Sequence, residues 1–117
     1  MCTRERMKMS SILLSSLRAN EILLANATSN VANMNTPEYK SIRTAITSSK
    51  TGVIEVNTIR SDDPAPLDQA GVSQSNVDLA RELVDMIKAK SGFEATLKAI
   101  SSREEMLDDL MYAFTKE

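Results

Sequence analysis

Apolar residues recur at steps of four and three along the last third of the chain. From Leu79 the series runs Leu79, Leu83, Met86, Lys90, Phe93, Leu97, Ile100, Glu104, Leu107, Met111 and Phe114, and only Lys90 and Glu104 break it. This heptad spacing predicts an α-helix over residues 76–114 whose seam lies against another helix. No proline interrupts the run, and its one glycine, Gly92, costs the helix only about 1 kcal/mol relative to alanine. At the usual rise such a helix is roughly 58 Å long. Asn76 and Asp78 stand where an N-cap belongs.

A second segment, residues 9–35, repeats the spacing with Leu13, Leu17, Asn20, Leu24, Ala27, Val31 and Met34. Leu14, Ile22 and Leu23 widen its apolar surface beyond a narrow seam. The pattern fits a two-helix hairpin, and its width fits a helix covered by two different neighbours. The segment also holds Asn20, Asn26, Asn30, Asn33 and Asn35. Asparagine amides compete with the helical backbone, so either the helix frays there or the amides bond across a packed interface. Thr36-Pro37 is the expected stop, because the residue before proline leaves the α region.

Between the helices the period changes. Val53, Ile54, Val56, Thr58 and Ile59 predict a strand over 52–60 after a turn at Lys50-Thr51-Gly52. Residues 38–48, with Thr44 and Ile46, read as extended or partly helical. Asp62-Asp63-Pro64-Ala65-Pro66 reads as a stiff linker, continued as loop over 70–75. The fold class expected is mainly α. Residues 9–36 and 76–115 form a coiled-coil-like helical core, and residues 37–75 a short β or extended insertion. The first helix would be about 40 Å long, so the second would overhang it by roughly 18 Å. That surplus seam asks for another chain.

Composition narrows the chemistry. The chain has 117 residues, enough for one domain. Aromatic residues make up 3%, so the core must rest on aliphatic side chains and methionine. Acidic and basic residues are interspersed around a net charge of -2, which gives no electrostatic footprint for nucleic acid or an anionic membrane. Histidine is absent, removing the commonest general base and metal ligand, and the lone Cys2 allows no internal disulfide. Asp62, Asp63 and Asp68 lack the spacing of a calcium loop. Arg103, Glu104, Glu105, Asp108 and Asp109 read as a solvated helix face, apart from Glu104 in the seam. The charged pair Lys90 and Glu104 disfavours a self-paired two-stranded coil and sets register or partner choice. No nucleophile–base pair or phosphate-cradling loop occurs, so no catalytic residue or cofactor is expected. Arg18 and Glu21 interrupt the first apolar stretch too early for a cleaved signal peptide. Met9 is a second possible start.

Two stretches resemble one family. "LANATSNVANMNTPEYKS" (24–41) resembles the N-terminal signature of flagellar basal-body rod and hook-type axial proteins. "SNVDLARELVDMIKAKSGFEATLKAISSREEMLDDLM" (75–111) resembles their C-terminal helix, and "VIEVNTIRSDDPAPL" (53–67) is similar to the proximal-rod, FlgC-like type. Asn30, Asn33, Asn35, Thr36, Pro37 and Tyr39 match the first motif; Asn76, Val77, Glu82, Met86, Ile87, Glu94 and Ala95 match the second. Glu38 stands where the family has glycine, and Phe93 and Thr96 where it has tyrosine and asparagine. The loop before the second helix is short, about residues 69–74. The resemblance implies a structural subunit of the periplasmic rod that packs with copies of itself and other axial proteins. It implies delivery by the flagellar type III export apparatus. Subunit packing is then expected of Leu13, Leu17, Leu24, Val31, Asn30, Asn33, Asn35, Pro37 and Tyr39. On the second helix it is expected of Leu79, Leu83, Met86, Phe93, Leu97, Ile100, Leu107, Met111 and Phe114. A soluble helical adaptor is the competing expectation.

Overall fold

A computed structural model describes residues 2–116. Helix α1 spans Cys2–Ala32, strand β1 Ile42–Ser48, strand β2 Ile54–Arg60 and helix α2 Leu79–Thr115. The molecule is elongated, with extents of 80 × 24 × 14 Å. The helices run antiparallel side by side: Arg103 donates to Ser10 Oγ at 2.9 Å, and the Ser16 and Thr96 hydroxyls are 3.1 Å apart. The strands form an antiparallel ribbon with Ile42 opposite Arg60 and Ser48 opposite Ile54.

Several boundaries differ from the sequence reading. α1 begins at Cys2, a turn and a half or more before residue 9, because residues 2–8 contain no proline or glycine to stop helix growth. The two helices have 31 and 37 residues, so α2 exceeds α1 by about 9 Å rather than 18 Å. α1 ends at Ala32, ahead of Thr36-Pro37, where turns closed by Asn33 and Thr36 N–H groups take over. Asp78 alone caps α2, accepting from Ala80 and Arg81 N–H groups; Asn76 serves elsewhere. Residues 42–48 are fully extended, since the β-formers there have a partner strand to pair with.

α1 is covered on two sides, as its wide apolar surface predicts. One side meets α2. The other carries the ribbon, where Ser15 Oγ accepts from Ile54 N at 3.1 Å and Asn26 Nδ2 donates to Thr44 Oγ1 at 2.9 Å. At the ribbon tip Gly52 has φ 84°, and a methyl group there would press on Ile12 Cδ1 at 3.2 Å.

The α2 seam read from the heptads meets α1 only in part, with Ile100 common to both surfaces. The residues of α2 that lose most solvent include Glu82, Ala89, Gly92, Thr96, Ile100 and Arg103, whereas Leu79, Leu83, Phe93 and Leu97 stay exposed. The contact stripe is rotated about a quarter turn around the helix axis from the predicted one. The reason is steric. Gly92 faces Asn20, and a Cβ at residue 92 would sit 2.6 Å from Asn20 Oδ1. Small residues let the helix axes approach, and this close contact turns the bulky side chains outward. Ala19, Ala27 and Ala89 are the fully buried apolar residues among those described.

Gly92→Ala is therefore expected to lower stability by about 1–3 kcal/mol in urea titrations, through overpacking against Asn20. In an Asn20→Ala background the same change should instead stabilise by up to about 1 kcal/mol, from helix propensity alone. A gain in the wild-type background would contradict the close approach.

Candidate assembly surface

The chain's deepest burial is polar. Asn30 is 0% exposed, Glu82 1%, and Ser41, Ser61 and Ser75 are also buried. These residues meet where the chain leaves α1, enters the ribbon and returns to α2. Asn30 Oδ1 accepts from Ile42 N at 2.7 Å and from the Tyr39 hydroxyl at 3.1 Å, while its Nδ2 donates to Ile42 O at 2.8 Å. One amide thus meets both backbone groups of Ile42, as a neighbouring strand would. Asn76 does a similar job from the other end. Its Oδ1 accepts from Ser41 N at 2.6 Å, and its Nδ2 donates to Ser61 O and Asp63 O at 3.1 and 3.0 Å. A buried carbonyl or N–H without a partner costs about 1–3 kcal/mol, so two asparagines hold this crossing together.

An ion pair ties the crossing to α2. Arg43 Nη1 donates to Glu82 Oε1 at 2.7 Å, with both side chains largely buried. Arg60 adds a cation–π contact, its guanidinium 5.3 Å from the Tyr39 ring centroid. Lys40 pairs with Asp62 on the surface, and its hydrogen bond and charge hold the Asp62 carboxyl below the ordinary aspartate range. A cavity of about 350 Å³ lies beside this pair, lined by residues including Glu38, Tyr39, Asp63 and Asn76.

The three linker aspartates are each engaged by protein groups. Asp68 accepts from the Ala70 and Val72 N–H groups, Asp63 from Ser61 Oγ, and Asp62 from Lys40. No cluster of acidic, cysteine or histidine residues suited to a metal occurs among the described residues. Among them, no helix is long and apolar enough to cross a membrane.

The predicted packing residues divide between two places. Asn30 is in the polar crossing with Tyr39, and Asn33 bonds back to Ser29 O within α1. Asn35 and Pro37 are exposed in the turns after α1. The apolar members lie along the helix pair. Leu13, Leu17, Val31, Met86, Ile100 and Leu107 are half-buried; Leu24, Leu79, Leu83, Phe93, Leu97, Met111 and Phe114 are exposed, Leu97 to 45% and Phe114 to 76%. Leu13, Leu14 and Leu17 share one open groove of about 270 Å³ with Ile100, Arg103 and Glu104. The structure thus leaves an apolar face shared by both helices.

Sequence reasoning missed Ser41, Arg43, Ser61 and Arg103. Nothing in their spacing marks them; each matters because the fold brings it to a distant residue. Glu38 is informative in another way. It holds φ 61° with its N–H donated to Ser73 O at 2.9 Å, so the turn survives without the glycine usual there.

Residues 68–111 match the family described as flagellar basal body rod FlgEFG protein C-terminal. The matched segment is the short loop before α2 and nearly all of α2, the part of the chain whose large apolar residues lie outside. The match supports a flagellar rod-family protein and bears out the resemblance carried by residues 75–111. That family is structural, and the match supports a structural role in the flagellar rod for this chain. No curated protein matches the chain.

Two substitutions test the crossing by urea titration. Arg43→Ala strands the Glu82 carboxylate and should cost about 3–5 kcal/mol, whereas Arg43→Met with Glu82→Met should cost markedly less. Equal losses would mean that the pair is not what links β1 to α2. Separately, Glu38→Gly should stabilise by up to about 1 kcal/mol, by relieving the left-handed backbone of a residue with a Cβ.

Proposed function

We propose that this chain is a building block of the flagellar rod that transmits torque by mechanical contact. The helices, residues 9–36 with 76–115, form the axial core, packed in a coiled-coil-like manner against neighbouring subunits. Residues 37–75 form the insertion, which braces α1 from the opposite side to the shared apolar face. Copies of this chain and other axial proteins supply the missing neighbours. The subunit passes unfolded through the flagellar type III export apparatus without a cleaved signal.

The observation behind this reading is the outward position of Leu79, Leu83, Leu97 and Phe114 on the helix that carries the family match. A lone helix pair leaves these residues in water. A bundle of neighbouring helices would bury them, at a gain of about 1.5–3 kcal/mol for each side chain fully covered. The long, thin shape suits lateral packing over end-on contact. Sterically the chain also suits export, since it has no internal disulfide to block unfolding.

Mass spectrometry of purified basal bodies and a swimming assay test the proposal. Deletion should abolish complete rods and swimming. Leu97→Asp should leave the purified chain folded, because residue 97 is exposed, yet lower its content in basal bodies by about tenfold or more. Intact swimming and complete basal bodies without the chain would favour the adaptor reading.

A further inference from the structure

The charged positions on the exposed face of α2 have a symmetry of their own. Lys90 lies seven residues before Leu97, and Glu104 lies seven residues after it. Each is thus about 10 Å along the helix from Leu97, in opposite directions. Leu83 and Met111 follow the same rule, fourteen residues to either side, while Phe93 with Ile100 and Met86 with Leu107 mirror each other to within one residue. Lys90 is 76% exposed and its ammonium group reaches only Glu94 of the same helix, at 3.9 Å. Glu104 is exposed at the open groove with Leu13, Leu14 and Leu17. Neither has a partner on α1 or the ribbon among the recorded ion pairs of the described residues.

We propose that this face binds a second copy of the chain in an antiparallel, two-fold arrangement centred on Leu97. Rotation about an axis through Leu97 places Lys90 of one copy opposite Glu104 of the other, and does so twice. Leu83 comes opposite Met111, and Phe93 and Met86 come within one residue, about 1.5 Å along the axis, of Ile100 and Leu107. A two-fold contact is self-complementary and closes on itself. A parallel, in-register pairing of the same helices would set Lys90 against Lys90 and Glu104 against Glu104, which like-charge repulsion disfavours. These two charges thus disfavour a self-paired two-stranded coil, as expected from the sequence, in the parallel form, where like charges meet, and not in the antiparallel one, where opposite charges do. They also fix its register, since a slip by one heptad breaks both ion pairs.

The dimer does not rest on the rod reading. Its two chains point in opposite directions, whereas subunits sharing one polarity along an axis cannot use this contact. It is a closed form of the free protein that hides Leu83, Phe93 and Leu97 and must open before those residues serve any other neighbour.

Sedimentation velocity on the purified chain, from about 1 µM to 1 mM, tests this. The wild type should show a reversible monomer–dimer equilibrium without larger species. Lys90→Glu puts two Glu–Glu contacts into the dimer and Glu104→Lys two Lys–Lys contacts, so each should weaken it by about tenfold or more. Lys90→Glu combined with Glu104→Lys restores both pairs in swapped form and should recover association. Both sites are exposed, so circular dichroism should show unchanged helicity in all variants. A wild type that stays monomeric throughout, or that grows into open-ended oligomers, overturns the proposal. So does a double variant that associates no better than the singles, the result expected of parallel pairing. None of these outcomes depends on whether the chain enters a basal body.

Discussion

The close approach of α1 and α2 governs the rest of this structure. Gly92 sits against Asn20, Thr96 against Ser16, and the buried apolar groups are alanines. Two helices that touch through small residues place their axes close together, at the short end of normal interhelical distances. The larger side chains cannot fit between axes that close. They project to the sides, and on α2 this means outward into solvent. The chain's internal packing and its unfilled apolar face are thus two results of one steric fact.

The interior is consequently held by directional bonds more than by hydrophobic bulk. Asn30 and Asn76 satisfy the backbone of Ser41 and Ile42, and the Arg43–Glu82 pair reaches from the ribbon to α2. Such bonds add modest net stability individually, but the alternatives are costly because an unpaired buried group is worse than none. A crossing of this kind specifies one geometry. It fixes where the ribbon leaves α1 and where α2 begins, and so fixes which face of α2 is left open.

How much of this was legible beforehand varies by residue. The existence and type of both helices, the turn at Lys50-Thr51-Gly52 and β2 follow from periodicity and local propensity. The asparagine-rich end of α1 left fraying and bonding across an interface open; Asn26 and Asn30 bond to the ribbon, while Asn35 lies in the turns beyond the helix. The heptad series asked for another helix without naming one, and within the chain α1 meets a neighbouring stripe of α2 while most of the series stays exposed. Periodicity reports that a stripe wants burial; it carries no information about which neighbour will bury it. Arg43 and Glu82 are 39 residues apart, and no local pattern could pair them.

The sequence by itself determined both helices and β2, their order, and that one chain would carry more apolar surface than it covers. Those depend on backbone propensities and on the spacing of side chains along a helix, which are local properties. Only the tertiary structure decided which stripe of α2 meets α1, that a ribbon shields the other side of α1, and that the bulkiest residues remain outside. These depend on how near two backbones can come, and that distance is set by residues such as Gly92 and Asn20, far apart in the chain and adjacent only once it has folded.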